Sequence, residues 1–503
     1  MTDPFRGVRR VAYRVSDTGY FERRGLTRHA KVWHLWALGV GAVISGHFSG
    51  WTGGLAAGGW GGMLVAALLI MAMYVGLVFA IAEMSPALPH TGGAYSFART
   101  AMGPWGGFLT GLAENVEYVI APAVIVFFIG SYLSDIFGTA PEWQPLWWIA
   151  TYGVFLGLNI FGVALSFRVT LTVTLLALAT LAVFWVSALG HMDFSRWALD
   201  VGPGGIELVN GHGPLFPNGL WGALTALPFA VWLFLAIEQL PLAAEESVDP
   251  RRDMPRGILL GMLTLIVCAF MILWLNPSVI GVGSHALARS GEPLLDGFRA
   301  IYGSEGFVFG LSLAQILGLV AVVGLVASFH TIIFAMGRQI FSLSRAGYFP
   351  SGLSVTHAQH RTPHLAMITG SGLGLTVILA VWFSQGGVDG SGSAVIGFTL
   401  LNMAVFGAML SYILQAVSFI MLRRNQPGIE RPFVNPLGVP GALVTIAVAV
   451  LTLLFQLADP TYRQAIMGVA LWFAAGVIYF AVVGRTRLIL SPEEEFAVAQ
   501  TRS

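Results

Sequence analysis

The chain has 503 residues, of which 56% are hydrophobic and only 10% charged, with a mean hydropathy of +0.76. A soluble domain is nearer a quarter charged, so the composition excludes a soluble globular protein and points to a polytopic membrane protein lodged in a lipid bilayer. The net charge of +1 gives no ground for a nucleic-acid partner, and Cys268, the only cysteine, excludes an intrachain disulfide and a thiolate metal cluster.

The first 31 residues are polar and basic and lack the apolar core of a signal peptide, so they read as a cytoplasmic N-terminal tail. Apolar stretches long enough to cross a bilayer, about 20 residues each, then fall at roughly 32–54, 61–84, 105–134, 145–165, 169–190, 220–243, 257–280, 306–341, 365–384, 393–421, 438–457 and 464–484. That makes twelve spans. The expected organisation is residues 32–190 for spans one to five, 191–421 for spans six to ten, 422–484 for spans eleven and twelve, and a C-terminal tail at 485–503. With the N-terminus inside, all but four of the 26 basic residues fall on the cytoplasmic side, the exceptions being Arg196, Arg289, Arg299 and Arg463. The positive-inside rule then predicts a multi-pass protein of the cell membrane with both termini cytoplasmic.

Span one, LWALGVGAVISGHFSGWTGG, is rich in glycine. Gly46, Gly50 and Gly54 make two overlapping G-x-x-x-G steps, which suit a close helix contact. They are equally compatible with a break at Ile44, Ser45 and Gly46 that bares backbone carbonyls on one side and N–H groups on the other. His47 follows directly.

Span three holds Glu114 and Glu117, three residues apart and therefore on one helical face, with Ala113 and Ala121 leaving room beside Glu117. A carboxylate at this depth is either satisfied by a neighbouring helix or faces a central cavity and pairs with a substrate ammonium. A cation without a carboxylate of its own needs such a counter-charge in a low dielectric. A zwitterionic amino acid needs it less, because a helix N-terminus can hold its carboxylate.

Span six is the centre of the sequence. Its apolar run loses helical character at Pro228 and meets Glu238 at bilayer depth, then leaves through Glu245 and Glu246 into a loop carrying Arg251, Arg252 and Arg256. A charge inside a span is costly and marks function, and freed backbone at this depth survives only where it lines a cavity or is buried in protein. Interrupted helices of this kind hold the substrate in secondary transporters. Trp232 and Phe234 can cover an amine by cation–π contact, worth about 0.5–2 kcal/mol. Glu245, Glu246, Asp249 and Asp253 opposite Arg251, Arg252 and Arg256 suggest a salt-bridged inner gate. Spans one and six are each first of five, and an odd number of spans per half inverts the second half relative to the first.

Span five, 169–190, contains no ionisable residue. In span eight, the hydroxyls of Ser328 and Thr331 either bond back to their own helix or join the span-one carbonyls at Ala42 and Ser45 in a sodium-type site. His330 suits a proton instead, and with span five bare it shares that role with Glu117. Arg338 and Arg345 read as cytoplasmic anchors. An enzyme is excluded by content, since no H-E-x-x-H, G-x-S-x-G or phosphate-cradling loop is present. A channel is disfavoured by the lack of a repeated filter or charged ring. No cofactor or metal site is expected.

The stretches GVGAVISGHFSGW in span one, IAEMSPALPHTGGAYSFARTAMGPWGGFLTG after span two, LAAEESVDPRRDMPRG after span six and SFHTIIFAMGRQIFSLSRAGYFP in span eight resemble the amino acid–polyamine–organocation superfamily, most closely its ethanolamine permease family. The resemblance runs over spans one to ten. It implies an all-α, leucine-transporter-like fold of two inverted five-helix repeats with helices one and six broken, spans eleven and twelve being additions. It also implies uptake of a small amine or amino acid coupled to protons or sodium. By matching position, Ile44, Ser45 and Gly46 would form the first break, Trp232, Leu233, Phe234, Leu235 and Ala236 the second, and Glu238 the acidic gate residue after it. The sequence departs from relatives that place a lysine in span five, and His47 stands where many carry a hydrophobic or acidic residue. The resulting expectation is import of a small amine such as ethanolamine with proton coupling. A neutral amino acid permease, an amino acid/amine exchanger and a non-transporting amine sensor are the alternatives, and the oligomeric state is left open.

Overall fold

Apolar runs punctuated by glycine and proline satisfy their own backbone groups as helices, the only open-chain solution inside a bilayer. A computed structural model of the chain describes residues 11–14, 20–21, 24, 26, 28–161, 163–200, 213–308, 310–385, 393–492 and 494–495. Much of the expected N-terminal tail and the end of the C-terminal tail lie outside the described residues.

The helices in chain order are α1 (Val32–Val43), α2 (Ser45–Phe48), α3 (Gly53–Ala87), α4 (Gly93–Phe137), α5 (Gln144–Ile160), α6 (Val163–Leu189), α7 (Gly219–Thr225), α8 (Leu227–Val231), α9 (Pro250–Leu275), α10 (Gly283–Leu287), α11 (Pro293–Tyr302), α12 (Leu313–Arg345), α13 (His364–Ser384), α14 (Ser393–Asn425), α15 (Gly438–Ala458) and α16 (Arg463–Val482). Among the described residues nine of these are long and apolar enough to cross a membrane, and Val32–Phe48 is a shorter apolar one. The remaining expected spans are the fourth, α5, which has 17 residues, and the sixth, which is broken. The chain is thus a mostly helical membrane protein, consistent with the twelve spans expected of it.

Glycine sets the local departures. The second half of span one and span two run together in α3 across Gly59, whose φ of 65° is left-handed and whose α-carbon faces Pro217. In α4 a short helical segment from Gly93 turns at Gly103, φ 80°, and restarts at Pro104, which needs no N–H partner at a helix start. The expected span at 306–341 begins later than its hydropathy suggested. Residues Gly306–Val308 (β2) and Leu311–Ser312 (β3) form a small antiparallel hairpin around Gly310, φ 79°. The helix starts only at Ser312, whose hydroxyl accepts from Gln315 N while Gln315 Oε1 accepts from Ser312 N. The loop between spans seven and eight also contains α10 and α11, which hydropathy alone did not separate.

Span eleven and the loop before it are tied to α3 by polar contacts. Thr445 of α15 donates to the Met73 carbonyl of α3 at 2.9 Å, and Gly76 packs against Gly441. Glu83, buried at one end of α3, takes Arg423 Nε at 2.9 Å, Arg431 Nε at 3.1 Å and the Asn435 backbone N–H at 2.7 Å.

Candidate functional site

The two interrupted helices meet. After Val231, residues 232–236 leave helical geometry, and Ala236 has a φ of 83°, a left-handed conformation unfavourable for a residue with a Cβ. A 3-10 segment, Ile237–Glu246, then carries the chain out, with Pro241 inside it. In span one, Ile44 separates α1 from α2 but keeps right-handed dihedrals. The larger departure comes later, at Ser49, which is extended, and Gly50, φ 86°. The break expected at Ile44–Gly46 is therefore spread towards Gly50. Gly46 faces the second break so closely that a Cβ there would collide with the Trp232 carbonyl oxygen. Glycine is required here by contact between two backbones.

Beside this junction lies a buried acidic cluster. Glu117 of α4 and Glu238 of the 3-10 segment are both buried here, close enough for their carboxyl groups to interact, and Tyr412 of α14 reaches Glu117. Tyr412 donates to Glu117 at 3.4 Å and shares a 3.0 Å hydrogen bond with Tyr74 of α3. The Phe234 ring lies 5.6 Å from that of Tyr74, centroid to centroid. Glu114 is occupied elsewhere, accepting from Gln339 of α12 at 2.6 Å. Glu117 and Glu238 are 0% and 3% exposed, and among the described residues no arginine, lysine or histidine is paired with either. Neither oxygen of Glu238 has a hydrogen-bond donor. Two acids so placed require a cation or a proton between them, because buried charge without compensation is prohibitively costly. The sequence pointed to Glu117 as a substrate group and to Glu238 as a gate; the structure joins them. Tyr74 and Tyr412 were missed. Each is the single tyrosine of its span, which was the available signal.

Other residues singled out in the sequence occupy different surroundings. Trp232 does not sit with Phe234: its indole lies against Gly50 and Leu401, its Nε1 without a partner. Leu235, 3% exposed, belongs to the break itself. The buried His47 ring is directed at the backbone of Ile44 and of Leu265 on α9, and neither nitrogen forms a satisfactory hydrogen bond. Ser45 uses its backbone N–H to donate to Ser328 Oγ at 2.8 Å, and Ser328 Oγ donates to the Gly41 carbonyl at 2.7 Å. Ser328 thus bridges the two halves of span one through Gly41 rather than Ala42. Thr331 returns its hydroxyl proton to its own helix at Ala327, 2.7 Å away. His330 points the other way, to α5, where Asn159 Nδ2 lies 2.9 Å from its Nδ1 and Phe155 packs on its ring. The hydroxyl expected in a sodium-type site and the imidazole expected to carry a proton are separated on α12, Ser328 turning to α1 and His330 to α5, as a spacing of two in a helix requires.

The exit of span six is salt-bridged, with different cations from those expected there. Arg338 Nη2 meets Glu246 Oε1 at 2.8 Å, and Arg345 Nη2 meets Glu245 Oε1 at 2.6 Å. The Arg338 guanidinium also stacks 3.5 Å from the centre of the Phe334 ring. These two arginines, read as surface anchors, are buried. Arg251 instead pairs with Glu430 on the exposed surface, and Arg252 is exposed. Sequence proximity favoured the wrong cations because helix α12 is brought to the span-six exit only by folding. Thr91, just before α4, donates its N–H to Glu245 Oε1 at 3.1 Å and its hydroxyl to the Leu242 carbonyl, holding the 3-10 segment from that side.

At the other end, α11 is fastened to α4. Ser131 donates to Glu292 at 2.6 Å, Arg299 pairs with Asp135 at 2.5 Å, and Ser290 donates to Asp296 at 2.5 Å. Burial pushes the Glu292 carboxyl up to about 7; Asp296 and Asp135 push the same way, against Ser131 and Arg299.

A family model described as amino acid permease matches residues 31–483 of the chain. An uncharacterized transporter of Rhizobium meliloti (strain 1021) is 28% identical over 80% of this chain and 81% of its own length. A branched-chain amino acid permease of Bacillus subtilis (strain 168) is 25% identical over 91% and 93%, and a probable GABA permease of Pseudomonas aeruginosa is 27% identical over 87% and 88%.

Proposed function

The chain belongs to the amino acid permease family and is accordingly a multi-pass membrane transporter rather than an enzyme; from its site we propose that it imports a small amine such as ethanolamine across the cytoplasmic membrane by alternating access, coupled to protons, with both termini inside. The observation that carries the reading is the Glu117–Glu238 pair, two buried carboxyl groups at the span-six break without a cationic side chain between them. An ammonium group supplies that charge, and the aromatic faces of Phe234, Tyr74 and Tyr412 give it cation–π cover. In this reading the first break, Ile44, Ser45 and Gly46, which packs on the second break at Trp232, faces the hydroxyl-bearing end of a small substrate. In the empty carrier a proton takes the place of the ammonium, which makes the acid pair a better proton carrier than His330 with its Asn159 partner. His330→Ala should therefore retain pH-driven uptake in proteoliposomes; its loss would return the coupling role to His330.

A neutral amino acid is the second reading, favoured by the names of the branched-chain amino acid and GABA permeases among the relatives. Thermal stabilisation of the purified protein across a panel of amines and neutral amino acids separates the two, because a ligand raises apparent stability by mass action. Ethanolamine and close amines should stabilise, and glycine, alanine and leucine should not. The reverse order would establish the second reading. Saturable counterflow of the stabilising ligand in proteoliposomes distinguishes a carrier from a sensor.

A further inference from the structure

The segments flanking the spans converge on the gate end of the molecule. Strand β1, Tyr13–Arg14, pairs in parallel with β4, Leu488–Ile489, and Ile489 N donates to the Ala346 carbonyl just past α12 at 2.9 Å. Beyond β4 the chain delivers Glu494 into the protein, its side chain fully buried. Four groups from three other parts of the chain donate to it. Tyr13 Oη is 2.7 Å away, Arg99 Nε 2.6 Å, Tyr348 Oη 2.9 Å and Tyr95 Oη 3.0 Å. Arg99 also donates to Tyr13 Oη at 2.6 Å. Phe108, Leu343, Phe480 and Leu488 pack around this cluster. A carboxylate taken out of water is tolerated only with such a full set of charge-assisted partners, so this placement is specific.

Described residues further along the N-terminal segment also contact the end of α12 and the span-six exit. Tyr20 donates to the Arg345 carbonyl at 2.9 Å. Arg24 stacks on Tyr20 and donates to Ser354 Oγ at 2.8 Å and to the Ser351 carbonyl at 3.0 Å. His29 N and Ala30 N donate to the Glu246 carbonyl at 2.8 and 2.9 Å, and Val248 N donates back to the Ala30 carbonyl at 2.9 Å. The segment is thus fixed to α12 at one point and to the span-six exit at another. Between those points lie the Arg338–Glu246 and Arg345–Glu245 bridges. Opening this end must separate α12 from the 3-10 segment, and the segment spanning them must let go of one side.

We propose that the two termini form a latch over the gate, with Glu494 as its fastening, and that release of Glu494 shifts the carrier towards the state open at this end. Removing the Glu494 carboxylate frees Tyr13 and the start of the N-terminal segment, so the contacts at Tyr20, Arg24 and Ala30 lose their anchorage and the gate bridges open more readily. The inference rests on the transporter reading but not on the choice of substrate.

The test uses the full-length protein in a Cys268→Ser background, with a single cysteine at Ala243→Cys inside the gate or at Ala288→Cys near the opposite end. The rate of labelling by a soluble maleimide is read in detergent, where both ends are reachable. In Glu494→Gln, and separately in a chain ending at Ser491, labelling at the gate position should rise at least about fivefold, the low end of ordinary conformational coupling. Labelling at the opposite end should stay level or fall. An unchanged gate rate in both variants would overturn the latch. So would a parallel rise at both positions, which reports a loosened fold and not a shifted equilibrium. A failure of ethanolamine to bind would leave these outcomes intact, so the two proposals fail separately.

Discussion

Glu117 and Glu238 lie together in the protein interior, one from the continuous part of α4 and the other from just beyond the left-handed turn at Ala236. The broken helix positions its acid through backbone geometry. A regular helix through residues 232–238 would turn Glu238 to another face.

The closest approach of the two breaks, Gly46 on the Trp232 carbonyl, predicts that Gly46→Ala is poorly tolerated. Backbone cannot move aside as a flexible side chain can, so the substitution should cost about 1–3 kcal/mol or more and abolish counterflow. Thermal unfolding and transport of the variant check this, and Gly372→Ala, with open space around it, serves as the control.

At the span-six exit, the Arg338–Glu246 pair is 1% and 0% exposed at its side chains. Glu246→Gln leaves a buried guanidinium without its counter-charge and should destabilise by roughly 3–5 kcal/mol. Combining it with Arg338→Met removes the orphaned charge and should recover much of that loss. A double-mutant cycle by thermal denaturation measures the coupling; additive effects would mean that the pair does not act as a unit.

The tie between α11 and α4 gives a pH dependence. The Glu292 carboxyl is raised to about 7 in the folded protein by burial, above its ordinary value of 4.5. The folded state therefore binds more protons than the unfolded state between those values, and the contribution is fully present below about 4.5 and lost as pH rises through about 7. Glu292→Gln mimics the protonated side chain. It should flatten that decline, so that its melting temperature exceeds that of wild type at pH 8 by more than at pH 5. An equal difference at both pH values would show that Glu292 does not titrate as described.

Much of this was legible in the sequence because the bilayer imposes simple rules. Span positions follow from hydropathy, whereas the second break at residues 232–236 comes from the family resemblance; Pro228 sits in the first turn of α8, before it. What hydropathy could not give is which helix faces which. Ser328, His330 and Thr331 share a stretch of span eight, yet the first serves span one and the second serves α5. Arg338 and Arg345 look like surface anchors until α12 is laid against the 3-10 segment. The same limit hid Tyr74 and Tyr412, whose importance lies in their approach to Glu117. Glu494 was invisible for a further reason: nothing in a short acidic run after the last span marks it as a residue that is buried.

The central claim is that a buried acid pair recognises the ammonium of a small amine, and Glu117→Gln tests it most directly. The substitution keeps the shape of the side chain and removes its charge. Binding of ethanolamine to the purified protein, measured by calorimetry, should weaken by roughly 100-fold or more, the equivalent of about 3 kcal/mol for a buried ion pair losing one partner. Ethanolamine bound by Glu117→Gln as tightly as by wild type, or alanine bound by wild type more tightly than ethanolamine, would contradict the account.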